Sequence, residues 1–585
     1  SEGNLTMGNG HCLPDAAPAD LVPVHECLFP LYVVKVSDFL EMKGTPEAHN
    51  SLECRKNILH EWQPGMFVVF VSHQWLSASH PDPLGQQVEV LRHALRGMID
   101  GSLAVNEDYV SRSVDKSMSK RTRQAIASGF IFFDWFAIPQ ITARQEGVNE
   151  DTTRSDAALA VQSIPAYVEV ANLFIALVPE QTHKETGKLC NYAAWLSRGW
   201  CRAELWCHLL SNKSDTSVVV VYSATEAEYM FPLDWQHSLI SEGEFTVESD
   251  RATVVRLGEM AVESKIKHLS ISGPLPHFRF FLAFQPSLLG KAREVRKLED
   301  FLRDFRFSSL ENAVQETSQM TAILCAVFAG DIKIVRLLAA NKADVNLKLR
   351  GLGDLGYFDT QTPLMAAAKS RQEPEMLTTL IHLRADMDAV SRFEINCAYL
   401  ARTPEHVKVL AEAKADFGLQ RGWVVNGPAG FASTATVAAM LEHRCDPNFD
   451  FEAIGTRYGP LHAVVVFARA NRHACATARL LLENRANVNA RARPQGWFRR
   501  WCTKSQVAVA TLGYSACSTQ TRFQANCPQI TPLGMASLVG HEELTRLFLD
   551  FGADLLPNER GAVPEDLAAM NGHTHLLPLL ATFST

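Results

Sequence analysis

One carboxylate in this 585-residue chain stands where chemistry could be done. In Leu196-Ser-Arg-Gly-Trp-Cys-Arg-Ala-Glu-Leu205, Glu204 follows Trp200 by four residues, a spacing that sets both side chains on one face of a helix. The upstream apolar run Leu173-Phe-Ile-Ala-Leu-Val178 reads as a buried strand. A helix opening beyond such a strand lies at the carboxyl end of a parallel sheet, where open α/β folds bind their ligands. Glu204 therefore suggests an enzyme, although an ion pair with Arg198 or Arg202 is the plainer role for it. Trp200, Cys201 and Trp206 read as packing residues. Cys201, Cys207 and His208 lie close in sequence but form no CxxC knuckle, so burial is expected there and no metal. His80-Pro-Asp-Pro83 looks like a catalytic or metal pair, yet two prolines around an aspartate read better as a rigid turn before a helix at Leu84.

The elements that must position Glu204 follow from hydrophobic patterning. Phe67-Val-Val-Phe-Val71, Phe130-Ile-Phe-Phe133, Leu173 to Val178 and Ser217 to Val221 are nearly continuous apolar runs, as in strands covered on both faces. Between the first two, Val88, Leu91, Leu95 and Met98 recur at helical spacing. Residues 66 to 222 thus read β-α-β-α-β-α-β, an α/β doubly wound parallel sheet. Residues 1–60 open on a Gly/Pro/Asp-rich, partly disordered stretch, followed by the apolar Leu31 to Val36 and a helix near Ser37 to Lys43.

The order of motifs in this region resembles the Toll/interleukin-1 receptor (TIR) fold and its fungal relative, the heterokaryon-incompatibility (HET) domain. Val71-Ser-His-Gln-Trp75 is similar to the HET Ser-x-x-Trp, and Phe133-Asp-Trp-Phe-Ala-Ile-Pro-Gln140 to its Asp-x-x-x-Ile-x-Gln block. Ser163 to Leu177 resembles the helix and strand that follow, and Arg198-Gly-Trp-Cys-Arg-Ala-Glu204 the Arg-x-Trp-x-x-x-Glu and Trp-Cys-x-x-Glu-Leu signatures. His73, Gln74 and a long first crossover, Asp100 to Gly129, depart from the pattern. The resemblance implies a TIR/HET-like α/β domain over 61–225. In it Glu204 would be the catalytic residue cleaving the nicotinamide–ribose bond of NAD, with Ser72, Trp75 and Asp134 contacting the nucleotide. A carboxylate near the anomeric carbon stabilises oxocarbenium character, so NAD enters as substrate and no metal or cofactor is required. Asp134 has an alternative as a local strand-end cap. Many such domains only assemble.

Residues 226–318 read as a connecting region, with strand-like Phe278 to Phe284 and a helical charged run from Lys291 to Phe305. Beyond it the chain repeats itself. Thr362-Pro-Leu-Met-Ala-Ala-Ala, Gly459-Pro-Leu-His-Ala and Thr531-Pro-Leu-Gly-Met-Ala share one opening. Ala343-Asp-Val-Asn346, Ala385-Asp386, Ala415-Asp416, Cys445-Asp-Pro-Asn448, Ala486-Asn-Val-Asn489 and Gly552-Ala-Asp554 share one closing. These resemble ankyrin repeats, implying an all-α solenoid over 319–582 of about six units and a cap, with insertions at 351–359 and 493–530. The second insertion carries Arg491 to Lys504, five basic residues among three aromatics. It suits an acidic partner or an anionic membrane surface, or else is a loop whose aromatics pack back on the stack.

Composition bounds the function. A globular balance of 47% hydrophobic and 21% charged residues comes with a net charge of −8, which argues against a nucleic-acid partner. The 13 scattered cysteines suit a reducing compartment, and no apolar run approaches the roughly 20 residues of a transmembrane segment. The amino end shows neither a basic nor an apolar targeting region, so a cytoplasmic protein is expected. Two readings stand foremost: a signalling protein whose repeats bind a protein partner through their concave face while a self-associating TIR/HET-like domain acts as effector, or a non-enzymatic adaptor or scaffold. Nucleic-acid or membrane association through the Arg491 to Lys504 loop is the third.

Overall fold

The computed structural model describes residues 26–582 apart from 54, 56, 107–116, 141–149, 214, 232–238, 294, 318, 358, 392–394, 415–425 and 450–455. The expected disorder before residue 26, residues 107–116 of the insert in the first crossover and the Ala415-Asp416 closing lie outside the described residues. The chain divides into two compact units, residues 1–231 with 243–264, and residues 232–242 with 265–585.

The first unit is built on a mixed sheet. Its strands are β1 (Tyr32–Lys35), β2 (Leu59–Glu61), β3 (Val68–His73), β4 (Val105–Asn106), β5 (Phe130–Phe132), β6 (Leu173–Leu177), β9 (Val218–Ser223) and β10 (Glu226–Tyr229). A separate two-stranded ribbon pairs β7 (Gln181–Thr182) with β8 (Leu189–Cys190). The main sheet runs β2-β1-β5-β3-β6-β9-β10-β4. Its centre, β5-β3-β6-β9, is wholly parallel and comprises the four apolar runs of the sequence. β3 precedes β5 and β6 in the chain but lies between them, so the winding reverses beside it, the place where open α/β sheets bind ligands. Phe70 of β3 lies level with Phe132 and Phe174 of its neighbours and stacks on both, at 4.6 and 5.4 Å between ring centres.

Antiparallel strands extend this centre at both edges. The sheet therefore begins at Tyr32, upstream of residue 61, where the apolar Leu31 to Val36 supplies a strand that pairs with β5. On one side the helix Gln86–Asp100 buries Val88, Leu91, Leu95 and Met98. Asp82 starts it, its carboxylate accepting from the amides of Gln86 at 2.9 Å and Val88 at 2.8 Å, which gives His80 to Pro83 its role as a turn.

The second unit is a stack of short helical hairpins. Successive pairs are Ala322–Ala329 with Ile332–Ala340, Pro363–Lys369 with Pro374–His382, Asn426–Phe431 with Thr434–Glu442, Pro460–Phe467 with Ala474–Glu483, and Pro532–Val539 with Glu542–Asp550. Pro404–Glu412 follows a turn where a first helix would be, and Pro564–Met570 and Leu577–Ala581 close the end. Across the long insertion, Pro460–Phe467 packs directly on Pro532–Val539, so the insert leaves the stack continuous.

Two local expectations fail. Phe278 to Phe284 is no strand; it lies within the helix Leu275–Leu289, started by Pro274 and closed at Gly290 with φ +62°. Aromatic runs carry strand propensity, but here Phe278, Phe280, Phe281 and Phe284 are buried on a 15-residue helix, a length that favours helix over strand. In the charged run after Lys291, helix forms only over Leu298–Asp304. Leu275–Leu289 packs on the first hairpin, placing Phe280 5.1 Å from Phe328 and 5.5 Å from Tyr357, ring to ring. It closes the apolar end of the stack, a role that terminal caps fill in such solenoids. Phe280→Ala is expected to lower the stability of this unit by ~3–5 kcal/mol, read from urea unfolding. A loss below ~1 kcal/mol would contradict this capping role.

Candidate functional site

The candidate residues meet at the carboxyl end of β3. Ser72 and His73 are its last two residues, and neighbouring strand residues point to opposite faces. On one side, Ser72 Oγ donates a hydrogen bond to Glu204 Oε2 and accepts one from Trp195 Nε1 at 3.0 Å. Glu204 sits in the helix Gly199–Leu210, and Trp195 in the preceding short helix Tyr192–Ser197. On the other side, His73 Nε2 donates to Asp134 Oδ1 at 2.9 Å, and Trp75 Nε1 donates to Asp134 Oδ2 at 2.8 Å. Asp134 opens the short helix Asp134–Ala137 directly after β5. The four predicted residues thus form two pairs, Ser72 with Glu204 and Trp75 with Asp134, joined through consecutive residues of one strand.

Burial differs across the cluster. Ser72 and His73 are buried, whereas Trp75, Asp134 and Glu204 are half-buried and can be reached from solvent. The His73 ring stacks on Phe133 at 4.1 Å, and Cys201 Sγ lies 3.6 Å from the His73 carbonyl oxygen. Trp75 meets Trp135 edge to face at 5.6 Å.

The electrostatics separate the two carboxyls. Loss of water around Glu204 raises its pKa; the Ser72 hydrogen bond opposes this, the nearby Asp134 charge reinforces it, His73 opposes it, and the result is about 8. Asp134 is also desolvated, but His73 and the indole of Trp75 outweigh that and hold it below the ordinary carboxylate range. Burial works against a charged His73, yet the charge and hydrogen bond of Asp134 prevail and raise its pKa. At neutral pH the site therefore pairs a proton-bearing Glu204 with an ionised Asp134. Two acids held on opposite sides of neutrality are the arrangement that divides acid and base roles.

The plainer alternatives resolve in particular ways. Arg202 Nε donates to the Leu196 carbonyl at 2.6 Å and Arg198 Nη2 to Thr246 Oγ1 at 2.8 Å, while Glu204 bonds Ser72. Trp200, expected to share the face of Glu204, bonds Asp250 at 3.1 Å. Besides Trp75, the indole that reaches the site is Trp195, which sequence reasoning missed; the turn at Arg198 brings its helix back over the end of β3. His73 was noticed only as a departure from a motif. His208 donates from Nε2 to the Ser217 carbonyl at 3.1 Å and meets Lys213 through Nδ1 at 3.1 Å. Among the described residues no group of three or more His, Cys, Asp or Glu side chains could hold a metal ion.

A family model described as ankyrin repeat matches residues 318–349, at the first hairpin of the second unit. The second unit thus holds an ankyrin repeat at those residues. Its repeats share more than topology. Thr321, Thr362 and Thr531 each cap a first helix by accepting a backbone amide three residues on. The turns that end the second helices take positive φ at Lys342, Arg384, Lys414, Arg444, Arg485 and Gly552, so five of these six positions hold Lys or Arg where glycine is conformationally easier. Asn346, Asn448 and Asn489 each accept an amide from the next repeat's turn, from Asp386 at 2.8 Å, Asn487 at 2.6 Å and Asp554 at 2.9 Å. Ankyrin stacks present extended surfaces that bind proteins. Among solved structures, the crystal structure of the human ASB11 ankyrin repeat domain is 18% identical, over 43% of this chain and 95% of that one, with a TM-score of 0.29. No curated protein matches the chain.

The raised acid makes a stability prediction. An unfolded glutamate loses its proton near 4.5 while folded Glu204 keeps it to about 8, so stability falls as pH rises between these values and levels off above. Glu204→Gln removes that decline, at most ~1.4 kcal/mol per pH unit. The variant's stability advantage, measured by denaturant unfolding, is expected to grow from pH 5 to pH 8 (roughly the window between the two pKa values) and then stay constant.

Proposed function

We propose that this chain is a cytosolic signalling protein in which the ankyrin repeats bind a protein partner and the amino-terminal unit is a TIR/HET-like effector that hydrolyses the nicotinamide–ribose bond of NAD at Glu204. The observation that carries the reading is the Glu204 carboxyl held on Ser72 at the end of the first parallel strand, beside the point where the winding reverses. A pyridinium ring entering beside Glu204 favours its ionised form, so substrate binding releases the proton that burial retains. The carboxylate then faces the positive charge that develops on the ribose as the carbon–nitrogen bond breaks. Nicotinamide leaves with the bonding pair, and water adds to the anomeric carbon.

Ser72 assists by donating to the ionised carboxylate. Asp134 holds Trp75 and His73, and the exposed parts of Trp75 and Asp134 are the groups available to a nucleotide. The parallel-centred sheet and the order of the four motif blocks support the TIR/HET-like reading. Self-association of this unit, driven by partner binding to the repeats, is the proposed control.

The test is nicotinamide release from NAD by the full-length protein, free and artificially clustered, against Glu204→Ala. Release that falls by about 100-fold or more in the folded variant supports catalysis. No release in any state leaves a non-enzymatic adaptor, with the repeats as its working surface. If the reading holds, kcat/KM rises with pH through about 8, since that ratio reports the free enzyme. Ser72→Ala, which removes the bond favouring the carboxylate, moves the rise to higher pH.

A further inference from the structure

The long insertion within the repeats folds into a helical pair whose chemistry is unlike the rest of the chain. Gly496–Leu512 packs on Thr519–Asn526 and turns Phe498, Cys502, Ser505 and Val509 inward. Val509 joins Cys517 and Ala525 in a small core of its own. The outward face is also apolar. Trp497, Trp501 and Leu512 recur at i, i+4 and i+15, which aligns them along one stripe of the helix, while Ala508 between them packs on the small core. Trp497 is 37% exposed and Leu512 68% exposed. The Trp497 and Trp501 rings lie 5.0 Å apart, edge to face.

Charge runs along the same face. Arg500 and Lys504 border the stripe, are exposed, and make no ion pair among the described residues. Arg499 and Arg491 are turned back instead, to Glu559 at 2.7 Å and to the Pro557 carbonyl at 2.9 Å. No aspartate or glutamate occurs anywhere between Glu483 and Glu542, within a chain whose net charge is −8.

We propose that the outer face of Gly496–Leu512 docks on an anionic lipid surface, lying in the plane of the interface. A helix that binds a protein groove buries a broad apolar face, but half of this apolar arc is already covered by Thr519–Asn526. What remains is a narrow strip of large side chains with two indoles at one end and free cations alongside, which suits shallow insertion at headgroup depth. The acidic remainder of the chain does not cancel the attraction, because at physiological salt charges interact over only ~8 Å. No helix among the described residues is long and apolar enough to cross a membrane, so this contact would be one of surface residence.

The experiment is sedimentation of the full-length protein with phosphatidylcholine vesicles, with and without phosphatidylserine, together with tryptophan emission. Binding to the anionic vesicles alone, weakened by salt and accompanied by a blue shift, is the expected result. The double variant Arg500→Glu, Lys504→Glu should weaken it by at least about thirtyfold, and Leu512→Asp by about tenfold. All three positions are exposed, so thermal unfolding followed by circular dichroism should be unchanged. The proposal is overturned if the protein ignores anionic vesicles, if these variants bind as the parent does, or if immobilised polyglutamate retains the protein while vesicles do not. That last outcome would assign the face to an acidic protein.

Discussion

The candidate site of the amino-terminal unit depends on one carboxyl group largely, though not wholly, withdrawn from water at the end of a parallel strand. A sheet covered on both faces admits only apolar side chains along its middle, and Val68 to Val71 are accordingly buried. Polar groups become tolerable where the strand stops, and Ser72 and His73 mark that place. Each then needs a partner, because an unmet buried donor costs more than a satisfied one returns. Glu204 and Asp134 meet that need from opposite sides, and their own ionisation is set by it. Desolvation and the facing Asp134 charge keep Glu204 protonated, and His73 and Trp75 keep Asp134 ionised.

The second unit obeys a different rule. A helical hairpin cannot bury its own apolar face, so stability comes from neighbours and the ends need closure. Leu275–Leu289 supplies closure at one end with phenylalanines against Phe328, and Pro564–Met570 supplies it at the other. Since each repeat touches only the next, a long insertion can leave the stack without interrupting it. Gly496–Leu512 and Thr519–Asn526 use that freedom to build a second surface with its own small core.

Where periodicity and chemistry agreed, the sequence was informative. The four central strands could be read because apolar runs of four to six residues bounded by turns have few other uses. The repeats could be read because the same opening and closing recur. Ser72, Trp75 and Asp134 could be read only through the order of motifs that resembles TIR and HET domains, and Glu204 also through its helical spacing beyond an apolar run. Trp195 could not, since its approach to Ser72 depends on the turn at Arg198, which no local pattern announces. His73 was hidden by its neighbours: a histidine at a strand end looks like any other until Asp134 lies opposite. Phe278 to Phe284 looks like a strand because aromatic richness favours strands in isolation, whereas the length of the element and its packing against Phe328 favour helix.

Glu204 keeps its proton at neutral pH because of where the fold puts it. Infrared difference spectra between the parent and Glu204→Gln, recorded as pH is raised, would isolate the carbonyl stretch of that one protonated carboxyl. The expected result is a band that persists at about pH 7, within the physiological range, and disappears with a midpoint of about 8. A band lost with a midpoint near 4.5, the ordinary glutamate value, would contradict it.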